Sequence, residues 1–150
     1  MERTSSPAAV GDENATAGQS YRESIYDAIA LLSGEWVVAV LASLATRPLT
    51  YLRLREEINN AEERSGWASH AHPVSQKVLS ATLKRMRRDG LITRAAGSDS
   101  SFKHVWYELT PLGRSFLRSL RPLAKWAQDN QAAVRDAQER YAEAEQASDT

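Results

Sequence analysis

Apolar residues recur with helical spacing over most of this chain. Ile25, Ala28, Ile29 and Leu32 predict a first helix from Tyr21, closed by Gly34. Trp36, Val37, Val40, Leu41 and Leu44 predict a second, strongly apolar helix that stops near Thr46, ahead of Arg47-Pro48. Thr50 is placed to cap a third helix carrying Leu52, Leu54 and Ile58, with Asn59 and Asn60 closing it. Residues 59–74 then read as a long loop, functional or mobile.

Ser75 stands where an N-cap belongs, and Gly90 stands where the next helix should end. Between them Leu79, Leu83 and Met86 line one side, while Gln76, Lys77, Ser80, Lys84 and Arg88 line the other. Residues 91–94 predict a short strand, residues 95–101 a Gly/Ser/Asp turn, and Phe102 to Leu109 a second strand, which makes a hairpin. Thr110-Pro111 opens a last helix with Leu112, Phe116, Leu120, Leu123 and Trp126 at steps of three or four, and Pro122 predicts a kink or break in it.

Three domains-level segments follow from this pattern. Residues 1–20 lack apolar periodicity and predict a disordered tail; residues 21–127 form the folded unit; residues 128–150 are helix-prone with few apolar anchors, a partly frayed extension unless a partner chain holds it. The fold class is mainly α with a small β-hairpin. Three helices, a basic helix, a hairpin and a long helix make the order of a winged helix-turn-helix.

Charge sharpens the picture. The chain is formally neutral, with 19 Lys/Arg and 19 Asp/Glu. Residues 1–74 hold 6 Lys/Arg against 10 Asp/Glu, residues 75–125 hold 11 against 3, and residues 126–150 hold 2 against 6. A basic middle between acidic flanks suits a polyanionic partner. In this fold the second helix of the motif enters the major groove of double-stranded DNA. Lys77, Lys84 and Arg88 would then meet phosphates or guanine edges, Gln76 and Ser80 would offer neutral hydrogen bonds, and Ser75 would aim helix amides at a phosphate. Ser98, Ser100, Ser101, Lys103 and His104 belong to the hairpin tip and its return, with Arg94 at its base. Thr50, Tyr51 and Arg53 could hold the backbone from the other side. A winged helix serving a protein partner instead would need no such cations on this helix, which carries Lys77, Lys84, Arg85, Arg87 and Arg88.

Other chemistry is poorly supplied. There is no cysteine, hence no disulfide, thiolate catalysis or cysteine-based zinc site. Trp67, His70 and His72 lie together in the long loop, but with His104 as the sole further histidine no metal centre is expected. No nucleophile motif, phosphate loop or carboxylate pair suggests an enzyme, and no cofactor is expected. No apolar run approaches the ~18 residues of a membrane span, and the N-terminus has no signal-peptide core, so a cytoplasmic location is expected.

LLSGEW (31–36), PLTYLRLREEI (48–58), VSQKVLSATLKRMRRDGLITR (74–94), VWYELTPLGRSF (105–116) and LRPLAKWA (120–127) together resemble the HxlR-type transcriptional regulators of bacteria, winged-helix relatives of MarR regulators. The resemblance covers about residues 22–127. It implies a homodimeric regulator, paired through its N- and C-terminal helices, that reads a pseudo-palindromic operator. By position it implies that Ser75, Gln76, Lys77, Ser80, Ala81 and Lys84 are the exposed recognition positions, and that Ile25, Ile29, Leu120, Leu123 and Trp126 are dimer or core positions. It also implies that Tyr26, Trp36, Phe116 and Trp126 could line a small-molecule effector pocket. Three departures stand out: Glu35 where the family usually has Lys, no N-terminal Cys for a thiol switch, and a longer loop over 59–73.

Overall fold

A computed structural model of the chain describes residues 13–34, 36–65, 72–96 and 105–149. The elements run α1 (Glu13–Leu32), α2 (Val37–Ser43), β1 (Leu49–Thr50), α3 (Tyr51–Ser65), α4 (Gln76–Arg88), β2 (Ile92–Ala96), β3 (Val105–Leu109) and α5 (Pro111–Ser148). The three strands form one antiparallel sheet in the order β1-β3-β2.

The core forms where the apolar stripes meet. Val37, Val40 and Leu41 of α2, Leu54 and Ile58 of α3, and Leu79, Leu83 and Met86 of α4 are buried together. The sheet closes one side of this cluster. Along β3, Val105, Tyr107 and Leu109 face inwards and Trp106 and Glu108 outwards, the alternation of a strand with one solvated face. Phe116, Leu117 and Leu120 of α5 pack against the same cluster from outside.

Several boundaries differ from those expected. Helix α1 starts at Glu13, within the segment expected to be unstructured. Ala15 and Ala17 favour helix there, although no apolar period announces it. Residues 1–12 lie outside the described residues. Leu49-Thr50 is both a cap and a strand: Leu49 pairs with Tyr107 and Thr50 with Trp106, while Thr50 Oγ1 accepts from Arg53 N at 3.4 Å.

Helix α3 does not stop at Asn59-Asn60. It continues to Ser65, so the expected loop over 59–74 is shorter by that much. Asn59 is not a terminator; its Oδ1 accepts from Val74 N at 2.9 Å, and Arg55 Nε donates to Val74 O at 3.3 Å. Both backbone groups of the residue before the α4 cap are thus tied to α3. Trp67 and His70 lie outside the described residues, and His72 is exposed.

Helix α5 passes through Pro122 without a break and reaches Ser148, where fraying was expected beyond Ala127. Its start is fixed by Thr110, whose Oγ1 donates to Gly90 O at 2.6 Å and accepts from Gly113 N at 2.9 Å. No single helix among the described residues is long and apolar enough to cross a membrane. Nor do those residues group three His, Cys, Asp or Glu as a metal site.

Candidate nucleic-acid interface

Helix α4 is built as the spacing predicts. Ser75 is its N-cap, with Oγ accepting from Val78 N at 3.3 Å. Its last turn carries Arg85, Arg87 and Arg88, a favourable place for cations beside the negative end of the helix dipole. Leu79, Leu83 and Met86 are buried. Gln76, Lys77, Ser80, Ala81, Lys84 and Arg88 are all exposed, as are Arg87 and Ser75. One helix therefore separates an apolar anchoring face from a face of amides, hydroxyls and cations.

A surface cleft of about 560 Å³ lies where α4 meets the sheet, lined by Lys84, Arg87, Arg88, Ile92, Thr93 and Arg94. Among these, Arg88 is engaged by Asp89 at 3.0 Å. The spacing within α4 points to Lys84 and Arg88, and the strand pattern points to Arg94. That Arg87 joins them depends on the approach of β2 to the end of α4, which no spacing within the helix announces. The basic run KRMRR is the signal that was there to be used.

Tyr51, expected at the interface, and Arg85, counted only among the cations of α4, have other places. Tyr51 is 3% exposed and belongs to the core; its hydroxyl donates to Gln76 O at 3.1 Å and accepts from Ser80 Oγ at 3.4 Å. Its ring fills the space between α3 and the start of α4, so it positions α4 and is not a free phosphate ligand. Arg85 is the second. Its guanidinium lies against Gly34, at the corner between α1 and α2, and its Nη2 is buried with no hydrogen-bond partner among the described residues. It sits on the flank of the apolar face, where the long stem reaches inwards.

Thr50 is half-buried, and Arg53 is exposed with its guanidinium on Glu56 at 3.2 Å. Arg94 is exposed on β2. Ser98, Ser100, Ser101, Lys103 and His104 lie outside the described residues, as does Glu35.

The terminal helices carry a second kind of surface. Ile25 and Ile29 of α1, and Leu123 and Trp126 of α5, are exposed apolar side chains, while Leu120 is half-buried. The aromatic set offered for an effector pocket is divided. Trp36 is 3% exposed and part of the core, Phe116 packs on that core, and Tyr26 and Trp126 stand in solvent at 63% and 59%. Trp36 is buried because it opens the most apolar helix of the chain, so it lines no accessible pocket.

Comparison with known proteins agrees with this geometry. The model of the HxlR-like helix-turn-helix family matches residues 31–135. The chain is 30% identical over 99 residues to the uncharacterised HTH-type transcriptional regulator YdzF of Bacillus subtilis (strain 168), covering 65% of this chain and 78% of that protein. It is also 30% identical over 108 residues to the uncharacterised HTH-type transcriptional regulator YtfH of Escherichia coli (strain K12), covering 70% of this chain and 75% of that one. Among solved structures, a putative MarR-family transcriptional regulator from Enterococcus faecalis V583 shares the fold at a TM-score of 0.59 and 22% identity, over 89% of this chain and 99% of its own. A capped basic helix, a sheet whose outer hairpin forms a wing, and a family match over most of the chain lead to one assignment: the chain belongs to the HxlR-like helix-turn-helix family, winged-helix DNA-binding regulators of transcription.

Proposed function

We propose that the protein acts in the cytoplasm as a homodimer that binds a pseudo-palindromic operator and represses transcription by occupying promoter DNA. Helix α4 and its two-fold mate would enter successive major grooves about 10 base pairs apart. Gln76, Lys77, Ser80, Ala81 and Lys84 would face base edges and the nearest phosphates. Ser75 and the helix N-terminus would meet one phosphate, and Arg88, Arg94 and Arg53 would meet others. The wing-tip residues Ser98, Ser100, Ser101, Lys103 and His104 would follow the neighbouring groove. The proposal assigns binding and no catalytic step. It assigns no effector either, because the aromatic residues considered for one are split between core and surface.

The observation that carries this reading is the division of α4: Leu79, Leu83 and Met86 buried, and the polar and cationic positions exposed. A helix held so firmly by one side can offer the other to a groove as a rigid element. The test is fluorescence anisotropy with the intergenic duplex beside the protein's own gene and a scrambled duplex. Contact with about six phosphates should weaken binding roughly a thousandfold between 50 and 200 mM salt, with the native duplex preferred. Equal, weak binding to both duplexes with little salt dependence would favour a winged helix that serves a protein partner.

A further inference from the structure

Tyr51, Arg55 and Asn59 stand at steps of four along α3 and so share one stripe of it. Every member of that stripe reaches the backbone at the start of α4. The Tyr51 hydroxyl donates to Gln76 O at 3.1 Å, Arg55 Nε donates to Val74 O at 3.3 Å, and Asn59 Oδ1 accepts from Val74 N at 2.9 Å. The gripped groups lie on either side of Ser75, the exposed N-cap. Val74 itself is 1% exposed, so its N–H and C=O depend on protein partners.

This grip adds something that the core does not. Helix α4 is packed through Leu79, Leu83 and Met86, beginning a turn beyond the cap. Apolar packing is non-directional and resists small slides and rotations weakly. Hydrogen bonds are directional, and these act on the first residues of the helix. The same residues lie where bases would be read: Gln76, Lys77 and Ser80 are exposed there, and Ser80 Oγ donates to the Tyr51 hydroxyl at 3.4 Å. Asn59 also opens the stretch over 59–73, which is longer than is usual in the family. A longer approach constrains the start of α4 less through the chain itself, so constraint from the side matters more.

We infer that Arg55 and Asn59 are specificity-determining positioning residues. By holding both backbone groups of Val74 they index the start of α4 to α3, and so set how Gln76, Lys77 and Ser80 reach base edges. Neither touches DNA: Arg55, a cation beside a DNA-binding helix, serves a carbonyl and not a phosphate. The inference rests on the operator reading above and deepens it.

The test uses the full-length protein with the intergenic and scrambled duplexes, by anisotropy across a salt series. Asn59→Ala removes the acceptor, and Asn59→Asp keeps an oxygen in its place. Arg55→Met keeps the stem and removes the donor, and Arg55→Lys returns a donor. Asn59→Ala and Arg55→Met should each narrow the preference for the native duplex about tenfold, the worth of one base contact, with the salt slope as in wild type. Asn59→Asp and Arg55→Lys should recover most of the preference. The Val74 amide should exchange with solvent faster in Asn59→Ala and not in Asn59→Asp. Each site tests the inference by itself if the variant at the other fails to fold. Preference kept by both deletion variants overturns the inference alone. Equal weakening on both duplexes makes these residues merely structural and overturns it too. A lower salt slope in Arg55→Met would make Arg55 a phosphate ligand, with the same consequence. A wild-type protein that does not prefer the native duplex overturns the operator reading, and this inference with it.

Discussion

Arg85 of α4 lies against Gly34 at the corner between α1 and α2: a Cβ built on Gly34 would fall 2.4 Å from Arg85 Nη2. Gly34 also has φ +152, a backbone region that side chains rarely tolerate. Gly34→Ala thus meets two obstacles at one place. The guanidinium is the far end of a flexible side chain and can yield; the backbone cannot. Destabilisation of about 1–3 kcal/mol is expected, from the backbone alone. Denaturant titration against wild type measures it, and an unchanged midpoint would show that the corner relaxes freely.

The same contact separates two cations of α4 that look equivalent in sequence. Lys84 is exposed and lines the cleft with Arg94; Arg85 turns inwards with a buried nitrogen that has no hydrogen-bond partner among the described residues. Removing Lys84 as Lys84→Ala should lower the salt dependence of DNA binding by about one phosphate's worth. Arg85→Met keeps the stem and deletes a buried group with no partner among the described residues, so it should leave both the salt slope and the stability nearly unchanged. The paired measurement is anisotropy across a salt series. Equal slope losses in the two variants would mean that Arg85 swings out to the duplex.

Helix α4 was legible because its signals are local: a Ser cap, a three-four apolar rhythm and a closing Gly. The hairpin and the Thr110-Pro111 start were legible for the same reason. Strand β1 was not, because two residues carry no period and become a strand only when β3 arrives beside them. Asn59 looked like a helix end because Asn prefers ends, yet its amide is used across the fold to hold Val74. At the interface, exposure on α4 could be read from a helical wheel, but Tyr51 and Arg85 could not be placed. Their side chains are long, and which way they turn is decided by the neighbouring helices.

Gly113, in the LTPLG start of α5, gives a second glycine prediction with a different cause. A Cβ there would lie 2.0 Å from the carbonyl oxygen of Leu91, and that oxygen is held by backbone and by Thr110. Here the obstacle is backbone in a hydrogen-bonded corner, so nothing can move aside cheaply. Gly113→Ala should cost about 3 kcal/mol or more and lower the melting temperature by roughly 10 °C. Scanning calorimetry of the two proteins tests this, and a shift of under about 2 °C would show that β2 and α5 can separate at that point.

Tyr51→Phe asks whether a residue near the duplex acts on DNA or on the helix that meets it. The ring is core and stays in the variant, while the hydroxyl that joins Gln76 O and Ser80 is removed. Losing that bridge should cost about 0.5–1.5 kcal/mol of stability, since Gln76 O is one of the groups at the start of α4 that the fold satisfies. If Tyr51 only positions α4, affinity for the preferred duplex falls modestly, the preference over scrambled DNA narrows, and the salt slope is unchanged. A phosphate ligand behaves otherwise: binding to every duplex weakens alike and the slope drops. The second pattern would return Tyr51 to the DNA backbone. The first would make the hydroxyl a spacer that sets how α4 is presented.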